Sequence, residues 1–244
     1  MGDVRLPDNR AKDGLKKSTS RRLAPDARAQ QILEGAISYF AEYGFDGGTR
    51  ALAAHIGISQ ALLFRYFPNK AALVDRVYEV VFLNRWNPEW RALLMRRDLP
   101  LAARLASFYK DYNRSIDRFE VIRISLFSAL RHESISQRYV ARLREQLIAP
   151  IVAECRAFVG LPPPEILPLH ALEEQLVLGL HATVIYGIMR KHVFHAAPPT
   201  EPDFMIELQV DGFIQYAREA FQRVHAHAAI GSGKIVSRKF ESIS

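Results

Sequence analysis

Between Thr49 and Lys70 the chain reads TRALAAHIGISQALLFRYFPNK, and the side chains gathered there suit recognition rather than reaction. In the second half of this stretch Leu63 and Phe67 stand four residues apart and face inward on a helix. That turns Gln60, Ala61, Leu62, Phe64 and Arg65 to the other faces. An amide, a guanidinium, an aromatic ring and aliphatic groups at this spacing are what a nucleic-acid groove would meet. Catalytic chemistry has no comparable cluster. Of the eight histidines, His192 and His195 could approach one another on a helix and His225 and His227 form a close pair. Neither pair has a nearby carboxylate or cysteine to complete a metal-ligand pattern. A nucleophile-base signature and a glycine-rich phosphate loop are both missing from the sequence, so an enzyme, a cofactor and a metal are not expected. The single cysteine, Cys155, excludes an internal disulfide and a cysteine-based zinc site, and reads as a small core residue.

The outward set needs short, well-terminated helices to hold it. Thr49 to Ile56 opens on a Ser/Thr-type cap and places Leu52, Ala53 and Ile56 on one face. Gly57 suits a helix stop at positive φ, and Ser59 can cap the helix that follows. Periodicity alone fits an ordinary helical hairpin as well as a helix-turn-helix. Upstream, Asp26 to Tyr43 reads as a helix with Ile32, Leu33, Ala36, Ile37, Phe40 and Ala41 along one stripe, ended by Gly44. Downstream, Asn69 can cap a fourth helix that runs through Leu73, Val77 and Val81 to about Trp86, where Asn87-Pro88 stops it.

Two segments go beyond periodicity. Leu63 to Lys70, LFRYFPNK, resembles the LYxYFxxK signature that closes the DNA-binding domain of the tetracycline-repressor (TetR) family of bacterial regulators. Ile32 to Phe45 is similar to that family's ILxAAxxLFAExGY opening, and the resemblance covers about residues 28 to 76. It implies that Thr49 and Arg50 begin the helix where phosphate and base contacts are made. In the next helix it implies that Gln60 pairs with adenine, that Arg65 reaches guanine or phosphate, and that Leu62 touches a thymine methyl group. Tyr66 and Lys70 match positions that hold the DNA backbone. Phe64 departs from the pattern, because a tyrosine is frequent there, and Leu62 stands where a small polar residue is usual. The resemblance further implies a homodimer formed by the last two long helices, a small-molecule effector, and repression at a palindromic operator of double-stranded DNA. The rival reading is an interaction module that has kept the fold without specific operator binding.

Composition agrees with an all-α protein: an N-terminal three-helix helix-turn-helix domain followed by a larger helical ligand-binding and dimerisation domain. Of 244 residues 49% are hydrophobic, enough for a sizeable core. The net charge of +7 favours an anionic partner. Residues 1–24 carry seven Lys or Arg against three Asp, whereas residues 25–76 carry five of each sign. The reading head is therefore neutral, and the excess sits in a basic flexible arm expected to add affinity along a minor groove, or else to act only as a solubilising tail. The first 24 residues contain no apolar run of the secretory or membrane-spanning kind, so a cytoplasmic location away from membranes is expected. The remaining boundaries are a helix-turn-helix domain at 25–76, an effector-binding and dimerisation domain at 77–229, and a frayed tail at 230–244.

Within the larger domain, helical patterns cover about 89–96, 101–116, 119–131 and 134–158, with a kink at Pro150, and two long helices follow from Leu169 to Phe194 and from Asp203 to His227. An effector cavity among these helices would draw its lining from Phe108, Tyr112, Phe127, Arg131, His181 and Tyr186, with Phe119, His132 and Met189 as further candidates. An aromatic stripe at helical spacing is more often core than lining.

Overall fold

The computed structural model describes residues 24–131, 134–197 and 200–241, which form helices joined by short connections, with no strand among them. The N-terminal unit comprises α1 (Pro25–Tyr43), α2 (Thr49–Ile56) and α3 (Gln60–Tyr66), with α4 (Lys70–Val81) leading into the larger unit. That unit contains α5 (Glu89–Leu94), α6 (Leu101–Ile116), α7 (Phe119–Leu130), α8 (Ser134–Leu143), α9 (Ala149–Val159), α10 (Ala171–His192) and α11 (Pro202–Glu241). The apolar stripes expected on the first and fourth helices are buried apart from the half-buried Ile37, and one hydrophobic core runs from Ile32 in α1 to Phe221 in α11.

Local backbone chemistry explains most helix ends. Gly57 follows α2 at φ 76°, a left-handed conformation that a side chain would resist, and its N–H donates back to the carbonyls of Ala53 and Ala54. The Ser59 hydroxyl accepts the Leu62 N–H at 3.1 Å, and the Asn69 carbonyl oxygen accepts the Ala72 N–H at 2.8 Å. Both caps match expectation. Thr49 does not: Gly48 occupies the N-cap of α2, Thr49 is its first helical residue, and its hydroxyl satisfies no end N–H. Helix α4 is also shorter than its apolar pattern. It stops at Val81 and gives way to a 3-10 turn at Leu83–Arg85, where the Ser115 hydroxyl of α6 donates to the Arg85 carbonyl at 3.1 Å.

The kink expected at Pro150 takes a specific form. Proline offers no N–H to the carbonyl four residues back, and the chain accommodates this with a π-helical turn at Arg144–Ile148 between α8 and α9. Helix α11 exceeds expectation, continuing to Glu241 through the segment read as a tail. Gly231 and Gly233 lower helix propensity there, but no proline interrupts the backbone ladder.

Two buried ion-pair clusters tie the larger unit together. The Glu154 carboxylate in α9 receives Arg104 at 2.7 Å and Arg97 at 2.9 Å. Burial works against its charge, yet the hydrogen bonds from the two arginines hold its carboxyl below the usual range. Arg156 grips Glu173 through one guanidinium nitrogen at 3.0 and 2.8 Å, and its other N–H groups donate to the carbonyls of Pro162 and Leu167. The proline-rich break before α10 is thus folded around Arg156. Glu173 also accepts the His170 N–H at 2.7 Å, which completes a capping box on α10.

Candidate nucleic-acid interface and internal cavity

Helix α3 buries a single residue, Leu63. Gln60, Ala61, Phe64 and Arg65 are exposed, and Leu62 and Tyr66 are half-buried, so the outward set expected from sequence is present on one short helix. Arg50 is exposed on α2. Two other candidates have intramolecular partners that spacing did not foretell. The Gln60 amide donates to the Thr49 hydroxyl at 2.7 Å, joining the first residues of α3 and α2. This bond leaves the Gln60 carbonyl and its second N–H for a partner and holds the amide in one orientation. The Lys70 ammonium donates to the Phe45 carbonyl, which ties the start of α4 to the loop between α1 and α2. Lys70 is therefore first a latch within the head, with its remaining N–H groups left for an outside acceptor.

Cations from the larger unit hold the head in place. Arg123 of α7 donates to the Ala41 carbonyl at 2.6 Å and to the Glu42 carbonyl at 3.3 Å, placing positive charge on the C-terminal turn of α1, where the helix dipole favours it. Phe127 of α7 packs on Gly44, where an added Cβ would lie 3.0 Å from the ring and φ is 73°. Arg131 pairs with Asp46. From α8, Arg138 bonds Asp75 at 2.6 Å and lies 4.0 Å over the Tyr78 ring.

Behind this seam is a cavity of about 740 Å³ between α4, α6, α7, α8 and α10. Three of the six expected lining residues reach it: Tyr112, His181 and Tyr186, with Met189 beside them. The other three are elsewhere. Phe108 is fully buried among Trp90, Tyr109 and Tyr112, while Phe127 and Arg131 belong to the seam with the head. Phe119 packs against His192 instead, and His132 lies outside the described residues. Sequence reasoning missed Tyr139, whose hydroxyl is 2.6 Å from that of Tyr112. The spacing of Ile135, Tyr139 and Leu143 along one face of α8 was the available signal. Burial lowers the imidazole of His181 to about 4 and pushes the Tyr139 hydroxyl up to about 12, so both are neutral at physiological pH. Cys155 is buried in the core, and burial pushes its thiol up to about 12, which makes it inert.

A solvent-facing helix behind a glycine turn, carried on a helical body with an apolar cavity, defines a helix-turn-helix protein with a second, all-helical domain. Residues 32–77 match the family described as bacterial regulatory proteins, tetR family. The HTH-type transcriptional regulator LuxR of Vibrio harveyi is 41% identical over 66 residues, which cover 27% of this chain and 32% of that protein. The HTH-type transcriptional repressor Rv1474c of Mycobacterium tuberculosis is 50% identical over 48 residues, covering 19% and 26%. The chain therefore spans about a third or less of the curated relatives it matches. Over greater length the likeness is one of fold. A TetR-like transcriptional regulator from Rhodococcus sp. RHA1 superposes with a TM-score of 0.57 at 18% identity over 78% of this chain and 96% of that one. A TetR family transcriptional regulator from Pseudomonas syringae pv. tomato str. DC3000 gives 0.52 at 18% identity over 80% and 97%. Residues 32–77 thus match the tetR family of bacterial regulatory proteins, and about four fifths of the chain shares the fold of these solved regulators.

Proposed function

We propose that the protein is a ligand-responsive transcriptional repressor that binds a palindromic DNA operator as a homodimer. The observation that carries the reading is α3, seven residues long with one buried side chain and an exposed Gln60, Phe64 and Arg65. In this reading Arg50, Gln60 and Arg65 contact base edges, Ala61, Leu62 and Phe64 make apolar contacts, and Thr49, Tyr66 and Lys70 hold the phosphate backbone. Thr49 acts mainly by orienting Gln60. The basic arm, which lies outside the described residues apart from Ala24, adds affinity along the minor groove.

Dimerisation is supported by the outer faces of the last two helices. Leu172 and Tyr186 on α10, and Phe204, Leu208 and Tyr216 on α11, are exposed large apolar residues. Gly179 and Gly212 stand among them with open space where a side chain would be. A second copy seated on this face would cover the patch. Ligand response is supported by α7 and α8, which each line the cavity with one face and hold the head with another: Val121, Ile122 and Tyr139 against Arg123 and Arg138. A ligand that moves either helix would move the head with it. No helix among the described residues is long and apolar enough to cross a membrane, which accords with a cytoplasmic site of action.

Selection from a randomised DNA pool tests the proposal. The expected product is a palindrome with half-sites about 34 to 36 Å apart, or a multiple of one helical turn. Weak binding that salt erases for every sequence would instead favour the interaction module.

A further inference from the structure

The lining of the cavity carries information about what it would admit. Among the described residues no Asp, Glu, Lys or Arg lines it, and its walls are mostly aliphatic and aromatic. Its volume of about 740 Å³ lies within the range that holds a drug-sized molecule. A charged ligand would lose its hydration there without gaining a counter-charge. Polar groups are few and local. The Tyr112 and Tyr139 hydroxyls are 2.6 Å apart, and because one donates to the other, the second O–H remains to be given away. His181 is the more telling group. Its Nδ1 is buried without a hydrogen-bond partner, although its ring lies 5.3 Å from that of Tyr112 and lines the same cavity. A buried polar atom in that condition is costly until a donor or acceptor reaches it. The Thr183 hydroxyl offers no alternative donor, since it is spent on the Leu180 carbonyl at 2.7 Å. Val140 on α8, more than half exposed, stands where the cavity meets solvent and marks its entrance.

We propose that this cavity binds an uncharged, largely apolar small molecule carrying a hydroxyl group, which pairs with His181 Nδ1 and with the Tyr112–Tyr139 hydroxyl pair. A hydroxyl both donates and accepts, so it satisfies the imidazole in either neutral tautomer and takes the proton left over from the tyrosine pair. This inference rests on reading the cavity as the effector site, but it concerns which molecules bind and is measured with no DNA present.

The test is equilibrium dialysis of the full-length protein at neutral pH against three probes on one skeleton: 4-phenylphenol, biphenyl and biphenyl-4-carboxylate. The phenol is expected to bind about tenfold more tightly than biphenyl, the worth of one well-made hydrogen bond. The carboxylate is expected to bind at least a hundredfold more weakly than the phenol. His181→Leu should bring the phenol toward the biphenyl value while biphenyl itself still binds. Ser125→Phe, which puts a ring into the cavity from its half-buried wall, should abolish binding of both neutral probes with the helical circular dichroism preserved. If Ser125→Phe fails to fold, the His181→Leu preference ratio decides the matter alone. Tight carboxylate binding, absence of binding by both neutral probes, or a phenol preference that survives His181→Leu would each overturn the proposal. A failed operator selection alongside selective phenol binding would overturn the repressor reading and leave this one standing.

Discussion

Helix α3 and helix α10 handle polar groups in opposite ways. On α3 the amide of Gln60 and the guanidinium of Arg65 face water, and their desolvation cost is deferred until a partner arrives. On α10 the Glu173 carboxylate and the His181 imidazole are already out of water. Each is matched, as Glu173 is by Arg156 and His170, or left with an unmet atom, as His181 is. The difference shows why the two surfaces suit different partners. An exposed, hydrated set can read a polyanion by summing modest contacts, whereas a dry pocket discriminates by what it cannot neutralise.

The strongest challenge to this contrast is to unbalance the matched side. Glu173→Ala leaves the Arg156 guanidinium buried and unpaired, and should lower the stability of the larger unit by about 3 to 5 kcal/mol in denaturant unfolding. A loss below about 1 kcal/mol would mean that water or another group replaces the carboxylate. The unmatched side predicts a pH dependence. Unfolded, His181 takes up a proton near pH 6.5, whereas in the fold, facing the rings of Tyr109 and Tyr112, it resists protonation until about 4. The unfolded state therefore binds more protons in this window, so stability is complete above pH 6.5 and falls as pH drops toward 4, by roughly 3 kcal/mol. Thermal melts across that window should show the loss, and His181→Leu should flatten it.

On the hydrated side the effects are smaller and of another kind. Arg50→Ala should leave stability within about 0.5 kcal/mol. In a binding assay on variant operators it should relax preference at one base pair by about 1 to 3 kcal/mol. Smallest is Lys70→Met, which removes the bond to the Phe45 carbonyl and should lower stability by about 1 kcal/mol. An unchanged melting temperature would indicate that Lys70 faces solvent and serves the DNA backbone alone.

Much of the fold was legible in the chain because helix ends are chosen within a few residues. Ser59, Asn69, Gly44 and Gly57 each act on backbone groups no more than four positions away, and so do the proline breaks. The outward set of α3 was readable for the same reason, as a consequence of helical period. Thr49 was misread because cap and first residue differ by one position, and the adjacent Gly48 took the cap.

The positions that required the folded molecule are those whose partners lie far along the chain. Arg123 reaches a carbonyl 82 residues away and Lys70 one 25 residues away, and no local pattern records either bond. Phe108 and Tyr112 share one stripe on α6, yet Phe108 meets Trp90 while Tyr112 meets a cavity. Spacing places a side chain on a face of its own helix. Which neighbour or void that face meets depends on how several helices cross, and that is set by packing the whole core at once.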